Sequence, residues 1–281
     1  MSTASAFAGS VPETYERNLG PLLFEPYAVD LAARVDAGAR SILELASGTG
    51  RVTNHLLRHL HRDALLYATD LNPDMLHIAR EMVRDRRIVW QTVDAQVLPF
   101  ADGKFDTVIC QFGVMFFPDK AAAFREAHRV LRPGGRFLFN SWDGFDSNPR
   151  AALIVSVMKD LLGDRAPDFL ARGPYSFHDE TKIRHLLDDA GFGPVTLTYV
   201  PKESHYDDPS SVVDGFVDGS PLGYYLDGID TGFRGTVKAA LHKALEAQYG
   251  TLSNAVPMQA IVVEARRQES KSGSILVHHP V

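Results

Sequence analysis

The residues with the clearest chemical potential form the run Glu44-Leu45-Ala46-Ser47-Gly48-Thr49-Gly50, placed where a β-rich segment gives way to a helical one. Two glycines let a backbone turn tightly and approach a ligand at the carboxyl edge of a sheet. A dinucleotide fingerprint would add a third glycine at position 53, to close a helix N-terminus on a pyrophosphate, but that residue is Thr53. A nearby carboxylate such as Glu44 would repel a pyrophosphate and would suit a cationic nucleoside without phosphate, such as S-adenosylmethionine. By itself the run is equally a tight strand-to-helix turn without a ligand.

Two further acids follow at matching places. Asp70, in Ala68-Thr69-Asp70-Leu71-Asn72-Pro73, lies 20 residues beyond Gly50 and can accept both hydroxyls of a ribose, or else serve only as a helix N-terminal carboxylate. Asp94-Ala95 ends the next β-rich run, where an aspartate can accept from an adenine amine while the following backbone N–H donates to the ring. A glycine loop and two acids, in order and each at a strand end, form a stronger constellation than any one of them.

The elements that must position these residues alternate. Candidate strands run over 41–46, 65–70, 88–94, 105–112 and 136–142, with helices opening near Arg51, Pro73 and Lys120, the pattern of a mostly parallel, doubly wound sheet. Leu131-Arg132-Pro133-Gly134-Gly135 stops the helix before the fifth strand. Further on, helices are expected over 151–162 and 179–190, strands over 195–200 and 258–265, and a helix ending near Gly250. The roughly 57 residues between the last two strands are too many for a hairpin and read as a helical cap beside the sheet. Residues 207–235, rich in glycine and aspartate, read as loop leading into the last helix, and 268–281 as a loosely ordered tail.

Composition narrows the classes. A length of 281 residues divided by about 150 per domain allows one large α/β domain or a domain with an insertion. A hydrophobic content of 45% and charged content of 23% predict a folded chain, and the net charge of −6 argues against nucleic acid as partner. The single cysteine, Cys110, leaves no disulfide framework, no multi-cysteine metal site and no redox pair, and its apolar strand suggests burial. The opening residues lack the pattern of a signal or transit peptide, and no apolar run is long enough to span a bilayer, so the expectation is a soluble cytoplasmic protein. No metal ligand set is expected, and oligomeric state is not legible.

With these residues in place the chain resembles a class I S-adenosylmethionine-dependent methyltransferase, of the broad group that includes the ubiquinone and menaquinone biosynthesis methyltransferases. Glu44 to Gly50 resembles that family's first motif, Asp70 its ribose-binding acid and Asp94-Ala95 its adenine-binding pair. Phe105-Asp106-Thr107-Val108-Ile109-Cys110-Gln111-Phe112 resembles the fourth-strand motif, and Leu131 to Gly135 the turn before strand five. Ala46-Ser47 stands where many relatives read Gly-Cys or Gly-Ala. The match covers about residues 40 to 142.

The resemblance implies a seven-stranded, mostly parallel Rossmann-like sheet with an antiparallel last strand, and methyl transfer by in-line displacement with catalysis mainly by proximity. It divides the chain into a helical segment over the cofactor (1–40), a cofactor-binding α/β core (41–142), the remaining strands with a substrate cap (143–267) and the tail. The implied cofactor contacts are Tyr15, Arg17, Glu44, Ala46, Ser47, Gly48, Gly50, Asp70, Leu71, Asp94, Ala95 and Gln111. Candidates for an acceptor pocket are Phe112, Trp142, His178 and Tyr224, and no catalytic base is identified. The expected partner is a small-molecule or lipid-like acceptor. A non-catalytic protein that binds S-adenosylmethionine or a partner, and less so an NAD-dependent oxidoreductase, are the alternatives.

Overall fold

The first four strands are short and largely apolar, as in Ser-Ile-Leu-Glu-Leu of β1, because helices cover both faces of a parallel sheet. The computed structural model describes residues 11–206, 208–230, 232–251 and 255–269. Its strands are β1 (Ser41–Leu45), β2 (Leu65–Asp70), β3 (Ile88–Thr92), β4 (Phe105–Gln111), β5 (Leu131–Trp142), β6 (Phe192–Ser204) and β7 (Val256–Arg267). They form one sheet in the order β3-β2-β1-β4-β5-β7-β6. β1 to β5 are mutually parallel, while β7 runs antiparallel to both neighbours. The chain leaves β1 toward β2 on one side and β4 on the other, which puts the topological switch point, and the crevice that goes with it, between β1 and β4.

Before the sheet come α1 (Val11–Thr14), a π-helical segment (Tyr15–Phe24) containing Pro21, and α2 (Glu25–Ala33). The crossover helices are α3 (Arg51–His59), α4 (Pro73–Met82) and α5 (Lys120–Val130). Asn72 caps α4 by accepting from the N–H of Asp74, with Pro73 at the first helical position, and Asp119 caps α5 by accepting from Ala122 N–H. Between β5 and β6 lie α6 (Pro149–Leu162), α7 (Phe169–Arg172) and α8 (Glu180–Asp189); between β6 and β7 lie α9 (Pro209–Asp218), α10 (Leu222–Ile229) and α11 (Phe233–Tyr249).

Two expectations change. Residues 207–235 hold α9 and α10, because Val212, Val213, Phe216 and Val217, then Leu222 and Leu226, form buried apolar faces that outweigh the local glycine content. β5 begins at Leu131: it pairs with Phe105 across a register shift, so Pro133-Gly134-Gly135 is an irregularity inside the strand, with Gly134 at φ 77°. β6 and β7 also run beyond their expected ends because they pair with each other from Phe192–Arg267 to Ser204–Val256. Of the expected tail, residues 270–281 lie outside the described residues. No helix among the described residues is long and apolar enough to cross a membrane.

The cap and the N-terminal segment meet. α9 packs on the π-helical segment, where a Cβ at Gly215 would come within 2.8 Å of the Leu19 side chain, and α11 packs on both α6 and α9. These contacts roof the carboxyl edge of β1 and β4.

Candidate functional site

Both central strands end by turning their last residues into the left-handed region. Ala46 after β1 has φ 51° and Phe112 after β4 has φ 48°, conformations that cost a non-glycine residue about 1 kcal/mol or more. Non-glycine residues in that region cluster where the surrounding structure imposes them. The constraints here are visible: Phe112 N–H donates to the buried Asn140 Oδ1 at 2.8 Å, and Gly113 sits so close to Ala46 that a Cβ would fall 2.5 Å from the Ala46 methyl. The positive φ of Ala46 also explains why glycine is at home there in sequences that share the motif.

Beyond Ala46 the loop is tied to β2. Ser47 N–H donates to Thr69 O at 2.9 Å, and Gly48 N–H, at φ 55°, donates to Asp70 Oδ2 at 2.8 Å. The other carboxylate oxygen of Asp70 accepts from Asn72 N–H at 2.8 Å. Burial pushes the Asp70 carboxyl up, while the N–H groups of Asn72, Gly48 and Leu71 favour its charged form. Each carboxylate oxygen can take a second donor, so Asp70 is oriented by the backbone and retains capacity for a ligand. No heavy atom lies within 4 Å of the place where a Cβ on Gly48 would stand, so the loop presents open space there.

Asp70 and Gly48 open onto a cavity of about 490 Å³ with two unlike ends. The polar end carries Gly48, Asp70, Asn72, Asp94, Gln96 and Gln111, with Ala46, Leu71 and Ala95 beside them. Gln111 Nε2 donates to Phe24 O at 3.3 Å, but its Oε1 is buried without a partner, an acceptor available to a donor in the cavity. Asp94 is half-buried and accepts from both N–H groups of Gln96, at 2.9 Å from the backbone and 3.0 Å from Nε2. The other end is aromatic. Phe112 stacks on Trp142 with centroids 4.1 Å apart and planes 13° from parallel, Tyr27 meets both edge-on, and Phe116, Phe117, Phe169, Tyr175 and Phe216 complete the wall. Lys120 holds Phe116 and Phe117 in place from behind, its Nζ donating to Met115 O at 2.9 Å and Phe117 O at 3.0 Å.

Side chains at the start of α3 are tied to the N-terminal segment. Glu16 accepts from Thr49 Oγ1 and from Arg51 Nη2, each at 2.5 Å, and Arg51 Nη1 reaches Glu25 Oε2 at 2.8 Å. His55 Nε2 lies 2.8 Å from the second Glu25 oxygen. Burial pushes the Glu16 carboxyl up; for Glu25, burial is outweighed by hydrogen bonds from His55 and Arg51, which hold it below the usual range. The Arg51 guanidinium lies where a side chain on Gly20 would have to be, which locks the π-helical segment down over the loop. A dinucleotide site presents a glycine-rich helix N-terminus to a pyrophosphate; here the Glu16 carboxylate is bonded to the Thr49 and Arg51 side chains beside that turn. Thr53, at the place of the missing glycine, is fully buried and donates to Glu44 Oε2 at 2.6 Å.

Several residues singled out from the sequence therefore lie together and others do not. Tyr15, Ala46, Gly48, Asp70, Leu71, Asp94, Ala95, Gln111, Phe112 and Trp142 line the cavity. Glu44, Ser47 and Gly50 stand behind it: Glu44 is buried with its carboxyl pushed up to about 8 by desolvation, Ser47 ties the loop to β2, and Gly50, at φ 85°, faces Trp90 and Val83 rather than the cavity. Arg17 is exposed, two positions along the π-helical segment from the inward-facing Tyr15. His178 is exposed and lies against Gly144, and Tyr224 is half out in solvent on α10 with its ring against Tyr225. The Glu16–Arg51–Glu25–His55 cluster was not anticipated. Its one sequence signal is the i, i+4 spacing of Arg51 and His55 on the inner face of α3.

Comparison with known proteins agrees with this geometry. A family described as a methyltransferase domain matches residues 43–139. The ubiquinone/menaquinone biosynthesis C-methyltransferase of Shewanella halifaxensis is 31% identical over 182 residues, which cover 58% of this chain and 71% of that protein. An uncharacterized protein of Mycobacterium tuberculosis is 34% identical over 202 residues, 70% of this chain and 68% of its own length. Among solved structures, the phosphoethanolamine N-methyltransferase 2 of Haemonchus contortus, in complex with phosphomonomethylethanolamine and S-adenosylhomocysteine, shares the fold with a TM-score of 0.62 at 14% identity, over 96% of this chain and 61% of that one. The chain belongs to the class I S-adenosylmethionine-dependent methyltransferases. Its cofactor is S-adenosylmethionine, and the polar groups present fit that molecule: a carboxylate that can accept from ribose hydroxyls and an unpartnered amide oxygen that can accept from an ammonium.

Proposed function

We propose that the chain methylates a small, ring-bearing acceptor, free or carrying a lipid-like tail, held at the aromatic end of the cavity. The observation that carries this reading is the continuity of one cavity from the carboxylates at Asp70 and Asp94 to the stacked pair Phe112–Trp142. In this reading Asp70 accepts from the ribose hydroxyls, Asp94 and Ala95 hold the adenine, and Tyr15 and Gln111 border the methionine end. The bound cofactor supplies an electrophilic methyl on a sulfonium.

The chain's own residues supply position and dryness. The two phenols on the cavity wall, Tyr15 and Tyr175, are pushed up by burial, so they stay neutral and act as donors rather than bases. Among the described residues no histidine lines the cavity. The acceptor must therefore bring its own nucleophile, as an acidic phenol, an activated ring carbon or a free amine does. Fixing two reactants in a near-attack arrangement supplies several kcal/mol without a proton-transfer side chain. The Shewanella relative, a C-methyltransferase, supports ring carbon as one acceptor atom. A net charge of −6 supports a non-nucleic-acid substrate.

The reading is tested by incubating the protein with methyl-labelled S-adenosylmethionine and, separately, substituted phenols, hydroquinones, aliphatic amines and an oligonucleotide. Label is expected on the ring compounds. Phe169→Ala, on the cap side of the cavity, is expected to raise KM for the ring acceptor without changing S-adenosylhomocysteine affinity. Label on the oligonucleotide alone, or on nothing, would contradict the reading.

A further inference from the structure

Behind the aromatic end of the cavity stands a cation without a counter-ion. Arg150, in the first turn of α6, is 4% exposed. Its Nη1 donates to Ser204 Oγ at 2.5 Å, and Ser204 in turn donates to Val256 O at 3.3 Å. Its Nε and Nη2 are buried and have no hydrogen-bond partner, and no carboxylate forms an ion pair with it among the described residues. The ionisable groups within electrostatic reach are the phenols of Tyr206, Tyr249 and Tyr175, and the guanidinium lies 5.4 Å from the Tyr206 ring. Burial lowers its pKa to about 10, which leaves it charged at neutral pH.

A buried, unpaired charge is expensive, and one placed at the positive end of a helix is doubly so. Neither Ser204 nor the Tyr206 ring neutralises it. Nε and Nη2 share one edge of the planar guanidinium, and their parallel N–H bonds match the two oxygens of a carboxylate. That orphaned edge is therefore the part of the group suited to bidentate capture.

The location connects this edge to the acceptor. Arg150 lines a void of about 10 Å³, walled also by Leu23, Trp142, Tyr175 and Phe216. Those same four side chains wall the large cavity. A ring seated against Trp142 thus lies one layer of side chains from Arg150. The void has room for about one water, so an anion reaching this edge must part the side chains between it and the cavity; the two parallel N–H bonds match the flat pair of oxygens of a carboxylate.

We propose that the acceptor carries a carboxylate, which passes between Trp142, Tyr175 and Phe216 to pair with the free edge of Arg150. This rests on the acceptor site proposed above. Arg150 is then a specificity-determining residue: it selects anionic ring compounds over neutral ones of the same shape, and its charge is neutralised when the acceptor binds.

The test is calorimetry on the protein saturated with S-adenosylhomocysteine, titrated with 4-hydroxybenzoate and 4-hydroxyphenylpropionate, with the amide of each, and with phenyl phosphate. At least one carboxylate is expected to bind roughly tenfold to a hundredfold more tightly than its amide, the range of a charge-assisted hydrogen-bonded pair. Arg150→Met is expected to erase that preference while S-adenosylhomocysteine still binds; Arg150→Lys is expected to keep part of it. The carboxylate-to-amide comparison on the unaltered protein holds even if Arg150→Met fails to fold. Equal affinity for carboxylate and amide, a preference for phenyl phosphate over every carboxylate, or no binding of any of them would overturn the proposal and leave the cofactor half of the site intact. Failure of S-adenosylhomocysteine itself to bind would overturn the acceptor-site reading along with it.

Discussion

At the scale of single residues, Asp70 carries two jobs that a substitution would separate. It fixes the loop by accepting from Gly48 and Asn72, and it presents its remaining capacity to the cavity. Asp70→Ala is expected to weaken S-adenosylmethionine binding by roughly tenfold to a hundredfold, since about 1.4 kcal/mol is a factor of ten. Asp94→Ala should cost less, because an adenine amine is a neutral donor and Asp94 is already engaged by Gln96. Parallel calorimetric titrations of the two variants check the ranking, and a larger loss for Asp94→Ala would reverse the assigned roles. Glu44 gives a pH prediction. Its carboxyl is raised from 4.5 to about 8 by burial, so the native state binds the proton more tightly than the unfolded chain. That contribution to stability is complete below about pH 4.5 and is lost as pH rises through about 8. Glu44→Gln, which mimics the protonated form, should therefore gain on the unaltered protein as pH rises from 5 to 8, by an amount on the order of a few kcal/mol. Chemical denaturation at several pH values measures it, and a constant difference would show that Glu44 does not titrate in this range. The acids were legible because their spacing repeats with the strands; that Arg17 is exposed while Tyr15 lines the cavity was not, because no sequence pattern reveals which side of a π-helical turn faces inward.

At the scale of elements, Arg51 is the charged tie that joins the N-terminal segment to α3. It bonds Glu16 and Glu25 from a position 16% exposed, and Gly20 leaves the space it occupies. Breaking a half-buried network of charged hydrogen bonds costs about 2 kcal/mol. For a chain of this size Arg51→Ala should lower Tm by roughly 4 to 8 °C. It should also weaken S-adenosylhomocysteine binding, because Tyr15 reaches the cavity from the segment that Arg51 secures. Limited proteolysis should cut within 15–24 sooner in the variant. Unchanged cleavage and affinity together would mean that the segment is held by its apolar contacts alone. The strands were readable almost to the residue where helices cover both faces. They were misjudged where tertiary pairing decides: β6 and β7 run long because each continues as far as the other does, and β5 starts early because Leu131 pairs with Phe105 of the parallel β4. α9 and α10 were missed because their sequences are rich in glycine and aspartate, and only the burial of Val212, Phe216, Leu222 and Leu226 against the segment below and α11 makes them helices.

At the scale of the whole molecule, the switch point between β1 and β4 supplies the polar half of the site, and the cap with the N-terminal segment supplies the aromatic half. The first half could be read from motifs, since its geometry is fixed by backbone turns that demand particular residues at particular spacings. Of the second, only Phe112 and Trp142, at the ends of strands, could. Trp142, Tyr175, Phe169 and Phe216 come from four separate segments whose meeting depends on how the cap folds back, and Arg150 gains its meaning only from what it fails to touch. The central claim is that this cavity was built for a cationic, phosphate-free nucleoside rather than a dinucleotide. Its most direct test is calorimetric titration of the purified protein with S-adenosylmethionine, S-adenosylhomocysteine and NAD in parallel. The account predicts micromolar binding of the first two and no heat from NAD, because Thr53 stands where a dinucleotide fingerprint has its third glycine and the Glu16 carboxylate lies beside the start of α3; binding of NAD as tight as that of S-adenosylhomocysteine would contradict it.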